Sequence, residues 1–347
     1  MNKKIIVLAI VVVLALLGAG CANTPATPAP APETSSETPA DPAAPANEVK
    51  DLSQIHLGYV QAGPEPYYQT SANGAIAAAD KVGIKMTVLN SESTPSKEMS
   101  NVQDLIAMNV DGIIVFTTNS DSAQEEAKLA NEANIPFYVI GSAASEGEGK
   151  VTATIRPDFL ELSGLVGQYV ADNFPEAKIG VIQGALGQDI SELFTQGFID
   201  ALAPSNEILE QKAADWSRDT AMSITQDWMT VGVPLDMIYV INEDMAAGVV
   251  QALKETNKLD QVNIVSTNGS PEGLMMIEAG ELLATGNESP SMESAMGVKA
   301  ALDVIFGKSV PSEVKPPIVL LTKDNLNEVI SWGPESVDLI DWSDYIN

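Results

Sequence analysis

Two adjacent tyrosines, Tyr67 and Tyr68, follow two prolines and Glu65 in the stretch GPEPYYQT, directly after the apolar run HLGYVQ. Aromatic residues make up 5% of this 347-residue chain, so a pair placed in a turn needs a reason. A flat ring face stacks on the CH-rich face of a small polar molecule, while Asn, Gln, Glu and Ser side chains bond its hydroxyls or amines. Side chains of these types recur after apolar runs. Gln61 precedes the tyrosines, Asn119 lies in TTNSD and Ser142 in GSAAS. The stretch QGALGQDISE follows, then Trp216 in ADWSRD, Asn242 in INED, Asn268 in STNGSPEG and Glu288 in TGNESP. Each has a structural reading beside the functional one. The tyrosines fit a hydrophobic staple, Trp216 fits core packing, and Asn242 and Asn268 fit turns or helix caps. His56, the only histidine, lies inside an apolar run and reads as structural.

The elements that must position these residues alternate. The runs IHLGYVQ, KMTVLN, DGIIVFTT, PFYVIG and VTATI predict strands before about residue 155, and KIGVIQG, MIYVIN, VNIVSTNG and LLATGN predict them after it. Helix patterns such as YYQTSANGAIAAADKVG, SKEMSNVQDLIAMN and SAQEEAKLANEANI lie between. Near-continuous apolar strands separated by helices predict parallel sheets covered on both faces. The expected fold class is therefore α/β, with two doubly wound parallel-sheet lobes. Open parallel sheets bind ligands outside the carboxyl ends of their strands, which is where the polar and aromatic residues fall.

The N-terminus carries Lys3 and Lys4, an apolar run over residues 5–17, and then Gly18, Ala19 and Gly20 before Cys21. That pattern predicts a signal peptide over residues 1–20. Cys21 is the only cysteine, which rules out an internal disulfide and a cysteine metal cluster. Residues 21–50 are rich in Pro, Ala, Thr and Ser and predict a disordered tether, with folding starting near Leu52. The position of Cys21 resembles the lipobox of bacterial lipoproteins, although Gly18 stands where that pattern has leucine, and the resemblance implies lipidation at Cys21. With 18 basic and 47 acidic residues the net charge is −29, which argues against nucleic acid and against recruitment to anionic lipid by charge. An enzyme finds little support. After Cys21 no thiol remains, His56 lacks a triad setting, and GALGQD lacks the Lys-Ser/Thr of a phosphate loop and the dinucleotide fingerprint. No cofactor and no metal site are expected.

The stretch PYYQTSANGAIAAADKVGIKMTVLNSESTPSKEMSNVQDLIAMNVDGIIVFTTNSD, together with NEDMAAGVVQALKE, VSTNGSPEG and GELLATGNESP, resembles periplasmic sugar-binding proteins of the ribose/galactose type, the solute-binding subunits of ABC importers. The resemblance spans roughly residues 54–325. It implies a type I periplasmic binding protein with three hinge crossings, near Ile155, Glu288 and Ile318. The first lobe would comprise residues 51–154 plus 289–317, and the second residues 155–288 plus 318–347. The family's stacking aromatics fall on Tyr67, Tyr68 and Trp216, and its polar contacts on Gln61, Glu65, Gly141, Ser142, Glu192, Asn242, Asn268 and Glu288. Ribose binders carry an Asp-Arg pair at Gly141-Ser142 and arginine at Glu192, and the family has aspartate at Asn268. With those arginines absent, Glu65, Glu192 and Glu288 favour an amino or otherwise cationic sugar-like ligand, with a neutral sugar or polyol as the alternative. Glu192 also fits a solvent-facing acid. The implied partners are an ABC permease and, through Cys21, the membrane, with the protein a monomer outside the cytoplasm. A sensor that presents its ligand to a membrane kinase or chemoreceptor is the rival reading, and a glycoside-processing enzyme a more distant one.

Overall fold

The structure, a computed structural model, describes residues 51–346. The expected signal peptide, Cys21 and the tether up to residue 50 lie outside the described residues. Strands and helices alternate from the start: β1 (His56–Gln61), α1 (Pro66–Val82), β2 (Lys85–Asn90), α2 (Pro95–Ala107), β3 (Gly112–Phe116), α3 (Ser120–Glu132), β4 (Phe137–Ile140) and β5 (Ala153–Ile155). The second series runs α4 (Phe159–Asn173), β6 (Lys178–Gln183), α5 (Asp189–Asp200), β7 (Glu207–Ala213), α6 (Arg218–Val231), β8 (Met237–Val240), α7 (Glu243–Glu255), β9 (Asn263–Asn268), α8 (Pro271–Ala279) and β10 (Ala284–Asn287). The chain then forms α9 (Pro290–Ile305), β11 (Glu313–Val314) and β12 (Val319–Thr322). Among the described residues no helix is long and apolar enough to cross a membrane.

Two six-stranded sheets result, ordered β11-β5-β4-β3-β1-β2 and β12-β10-β9-β8-β6-β7. Every pairing is parallel except β10 with β12. The period-2 alternation of strand side chains divides the first lobe's core. Leu57, Tyr59, Ile114, Tyr138 and Ile140 pack with α1 and α9, whereas Val60, Ile113, Val115, Phe137 and Val139 pack with α2 and α3. Both faces are thus covered, which is why these strands read as continuous apolar runs. The chain crosses between lobes after β5, after β10 and between β11 and β12.

α1 is held tightly against α9. Its buried face is small, with Ala72, Gly74, Ala75, Ala78 and Ala79, and Ser294 of α9 donates a hydrogen bond to the Ser71 carbonyl at 2.5 Å. A Cβ at Gly74 would press into the backbone of Ser291. Gly74→Ala should therefore destabilise the protein by about 1–3 kcal/mol, because two helices must separate. Urea unfolding reads this directly, and a midpoint equal to wild type would show that the contact is loose.

Three features depart from the sequence reading. β7 was not anticipated, because EILEQKA is a half-exposed edge strand and carries no apolar run. β12 was not anticipated either, although its IVLL run is apolar. The third concerns the tail, expected with the second lobe as part of 318–347. After Trp332 the chain returns to the first lobe, where a 3-10 turn over Pro334–Leu339 packs on α1 and α9. Val337, Trp342 and Tyr345 are buried in the first lobe's core. Ion pairs from Lys81 to Asp338 (2.5 Å) and Lys308 to Asp344 (2.7 Å) fasten the same segment. A fourth passage therefore joins the lobes, beside the three expected.

Candidate functional site

In each sheet the direction of strand addition reverses next to the first strand of the series, between β1 and β3 and between β6 and β8. A crevice opens at such a point because the flanking connections leave in opposite directions. Gln61 and Thr117 lie at one of these ends, Gln183 and Asn242 at the other.

The tyrosine pair is part of a ring cluster. Tyr67 meets Tyr68 and Phe116 edge-on with centroids 5.9 Å apart in each case, and Tyr68 meets Phe116 at 5.0 Å. Both tyrosines are half-buried, so each packs on the core and retains exposed surface. Pro66 at the first helical position fixes the chain entry that presents them. The Tyr67 hydroxyl donates to Glu288 Oε1 at 3.0 Å. Sequence reasoning passed over Phe116, which ends the apolar β3, although its place as the last strand residue was a usable signal. Gly141 is left-handed, and a Cβ there would collide with the Phe116 ring.

Glu288 is 1% exposed, and its Oε2 has no hydrogen-bond partner. Burial pushes its carboxyl up to about 8, with the charge of Glu243 adding to the rise and the Tyr67 hydroxyl opposing it. Burial also raises Glu293, helped by Glu288, and neither carboxylate oxygen of Glu293 has a partner. Glu243, unforeseen from sequence, accepts from the Gly269 and Ser270 amides at 2.7 and 2.9 Å and from Thr285 Oγ1 at 2.5 Å. Burial lifts it to about 7 against those bonds, and it ties the loop after β9 to β10.

On the second lobe, Trp216 stands out. It and Asp215 are consecutive left-handed residues, at φ 60° and 51°. Backbone strain of this kind is retained where surrounding structure over-determines it, often at ligand sites. The indole lies on Gly184 just after β6, where any Cβ would intrude into the ring, and Nε1 donates to Gln188 Oε1 at 2.7 Å. The ring is half-buried, between the core and bindable readings.

The remaining candidates separate. Gln61 is buried and donates to the Gly63 carbonyl at 2.5 Å. Glu65 is exposed on the rim and accepts from Ser93 Oγ at 3.2 Å. Asn119 and Asn242 cap α3 and α7, taking backbone amides at their N-termini. Asn268 does not open α8, a role that Ser270 fills, but ends β9 with φ 116° and gives its carbonyl to Glu288 N at 3.1 Å. Ser142 is half-buried beside Gly141, and Glu192 is exposed in the first turn of α5. Of the three acids expected to face inward, Glu288 alone is buried. Tyr67, Asn268 and Glu288 come together where the two rims meet at the hinge.

A model of the periplasmic binding protein domain matches residues 59–309. The ribose import binding protein of Escherichia coli (strain K12) is 31% identical over 260 residues, covering 74% of this chain and 87% of that one. A xylitol-binding protein of Mycolicibacterium smegmatis is 28% identical over 239 residues, 68% of each chain. An ABC transporter periplasmic solute-binding protein from Actinobacillus succinogenes 130z, solved with bound D-allose, superimposes with a TM-score of 0.74 at 20% identity, over 78% of this chain and 98% of that one, a likeness of fold.

Proposed function

The chain belongs to the periplasmic binding protein family, and from that premise we propose that it captures a small sugar or polyol between its lobes for an ABC importer. It is a solute-binding protein rather than an enzyme, and it works outside the cytoplasm. Ligand capture by hinge closure suits the architecture, because residues of both rims converge at the crossings and a molecule bridging them stabilises the closed form. The observation that carries the reading is the junction itself: the Tyr67, Tyr68 and Phe116 rings beside the buried carboxyl of Glu288. The relatives named for ribose import and xylitol binding support a polyhydroxylated ligand. Glu288, with one oxygen unpartnered, supports an amino substituent on it. In this reading Cys21 carries a lipid anchor and the receptor acts as a monomer beside its permease.

Thermal-shift screening followed by calorimetry with D-ribose, xylitol, myo-inositol and D-glucosamine tests the proposal. At least one should bind, and no binding across the panel defeats it. Trp216→Ala should weaken the bound sugar by about 1.5–3 kcal/mol while leaving the ligand-free melting point nearly unchanged. A large melting-point drop with affinity intact would assign the indole to the core.

A further inference from the structure

Trp332 lies in the fourth passage between the lobes. Its ring meets Tyr67 edge-on, with centroids 5.2 Å apart and planes at 88°. Nε1 donates to two carbonyls at once, Glu288 O at 2.9 Å and Asn268 O at 3.2 Å. Its own carbonyl accepts from Ser291 Oγ at 2.6 Å, and the preceding Ser331 carbonyl from Ser289 Oγ at 2.6 Å. Ile330 N donates to Asn287 Oδ1 at 2.7 Å. Residues 330–332 are thus stitched along the crossing from β10 into α9, with β12 on one side and the first-lobe tail on the other.

We propose that Trp332 is a positioning residue for ligand capture, setting the Tyr67 ring of the first lobe against Asn268 and Glu288 at the end of the second. The proposal rests on the sugar-binding reading of this cleft. The geometry supports it in two ways. A ring packed edge-to-face prefers one tilt over others, so the indole limits how Tyr67 can turn. A single N–H shared by two carbonyls from adjacent strand ends fixes their separation, and losing it leaves both acceptors without that donor.

The test uses the full chain with Trp332→Phe, which keeps a ring and removes the donor, and Trp332→His, which keeps a ring N–H. D-ribose, xylitol and D-glucosamine serve as calorimetric probes, and hydrogen exchange without ligand follows peptides covering residues 63–69 and 286–291. For whichever probe binds wild type, Trp332→Phe should bind about tenfold more weakly, with faster exchange in both peptides and a near-wild-type urea midpoint. Trp332→His should recover part of the affinity. Trp342→Phe, which disturbs the tail by removing the bond to the Val337 carbonyl, should bind like wild type. Wild-type affinity in Trp332→Phe overturns the inference, as does an equal loss in Trp342→Phe or unchanged exchange in both peptides. If wild type binds no probe, the sugar reading fails and the exchange pattern alone decides the role of Trp332.

Discussion

Raising the pH from 5.5 to 8.5 without ligand should lower the stability of this protein, and Glu126→Leu should abolish part of the loss. Glu126 is fully buried on α3, and neither carboxylate oxygen has a hydrogen-bond partner. Its surroundings are Ala123, Ala127 and Ala130 on the same helix face, with Glu98 of α2 as the neighbouring charge. Burial, then repulsion from Glu98, pushes the carboxyl up to about 9. Burial raises Glu98 as well, but Thr117 Oγ1 and the Thr118 amide oppose the rise by donating to it at 2.8 and 2.7 Å. A carboxyl raised in the folded state holds its proton there after the unfolded chain has released it. Stability is then complete below the unfolded value of 4.5 and falls as pH rises towards 9. The slope is about 1.4 kcal/mol per pH unit for one group across that window. Glu98, Glu243, Glu288 and Glu293 act in the same direction. His56, lowered by burial, opposes them weakly because its deprotonation favours the fold. Urea unfolding of wild type and Glu126→Leu at the two pH values measures the effect. The variant should exceed wild type by several kcal/mol at pH 8.5 and by far less at pH 5.5. A difference that does not change with pH would show that Glu126 stays ionised or reaches water.

The strand ends around the candidate site were legible because such ends announce themselves. A short β-branched run followed by Asn or Ser marks both a sheet edge and a helix cap, and Asn119 and Asn242 stand at such positions. Tyr67 was legible from its context, a turn with prolines in a chain poor in rings. Trp332 was not, because SWGPE follows the last strand with no periodic element to place it, and its partners come from elements far away in sequence. The tail failed for the same reason: single apolar residues among Asp, Ser and Pro show no helical or strand period, so only packing reveals them as core. Glu126 could have been found. Positions 123, 126, 127 and 130 follow helical spacing, and a glutamate among three alanines on that face is a buried acid in plain view. Glu65 and Glu192 show the limit of residue-type reasoning. An acid at a rim position is indistinguishable in sequence from one that turns to solvent, and both are exposed.

The effect of Glu288 on ligand choice should be the largest in the cleft. With its carboxyl raised to about 8, Glu288 is mostly protonated at pH 7 in the empty protein and cannot form an ion pair. An ammonium group placed at the unpartnered Oε2 favours the ionised form and expels the proton. Binding of D-glucosamine at pH 7 should therefore release on the order of one proton, measurable by calorimetry in buffers of different ionisation enthalpy. Its affinity should climb by up to about tenfold between pH 6 and 7, and level off above that as the sugar's own ammonium begins to lose its proton. A neutral sugar gives the opposite signature. It uses the protonated carboxyl as a donor to a hydroxyl, releases no proton, and binds more weakly as pH passes 8. Glu288→Gln separates the two again, since an amide of the same shape keeps a donor and loses the charge. It should cost an ammonium ligand about 3–5 kcal/mol, as removal of one partner from a buried ion pair does, and a neutral sugar about 1 kcal/mol or less. Equal binding of D-glucosamine by wild type and Glu288→Gln, with no proton released, would remove the case for a cationic ligand and leave the ring cluster to select a neutral one.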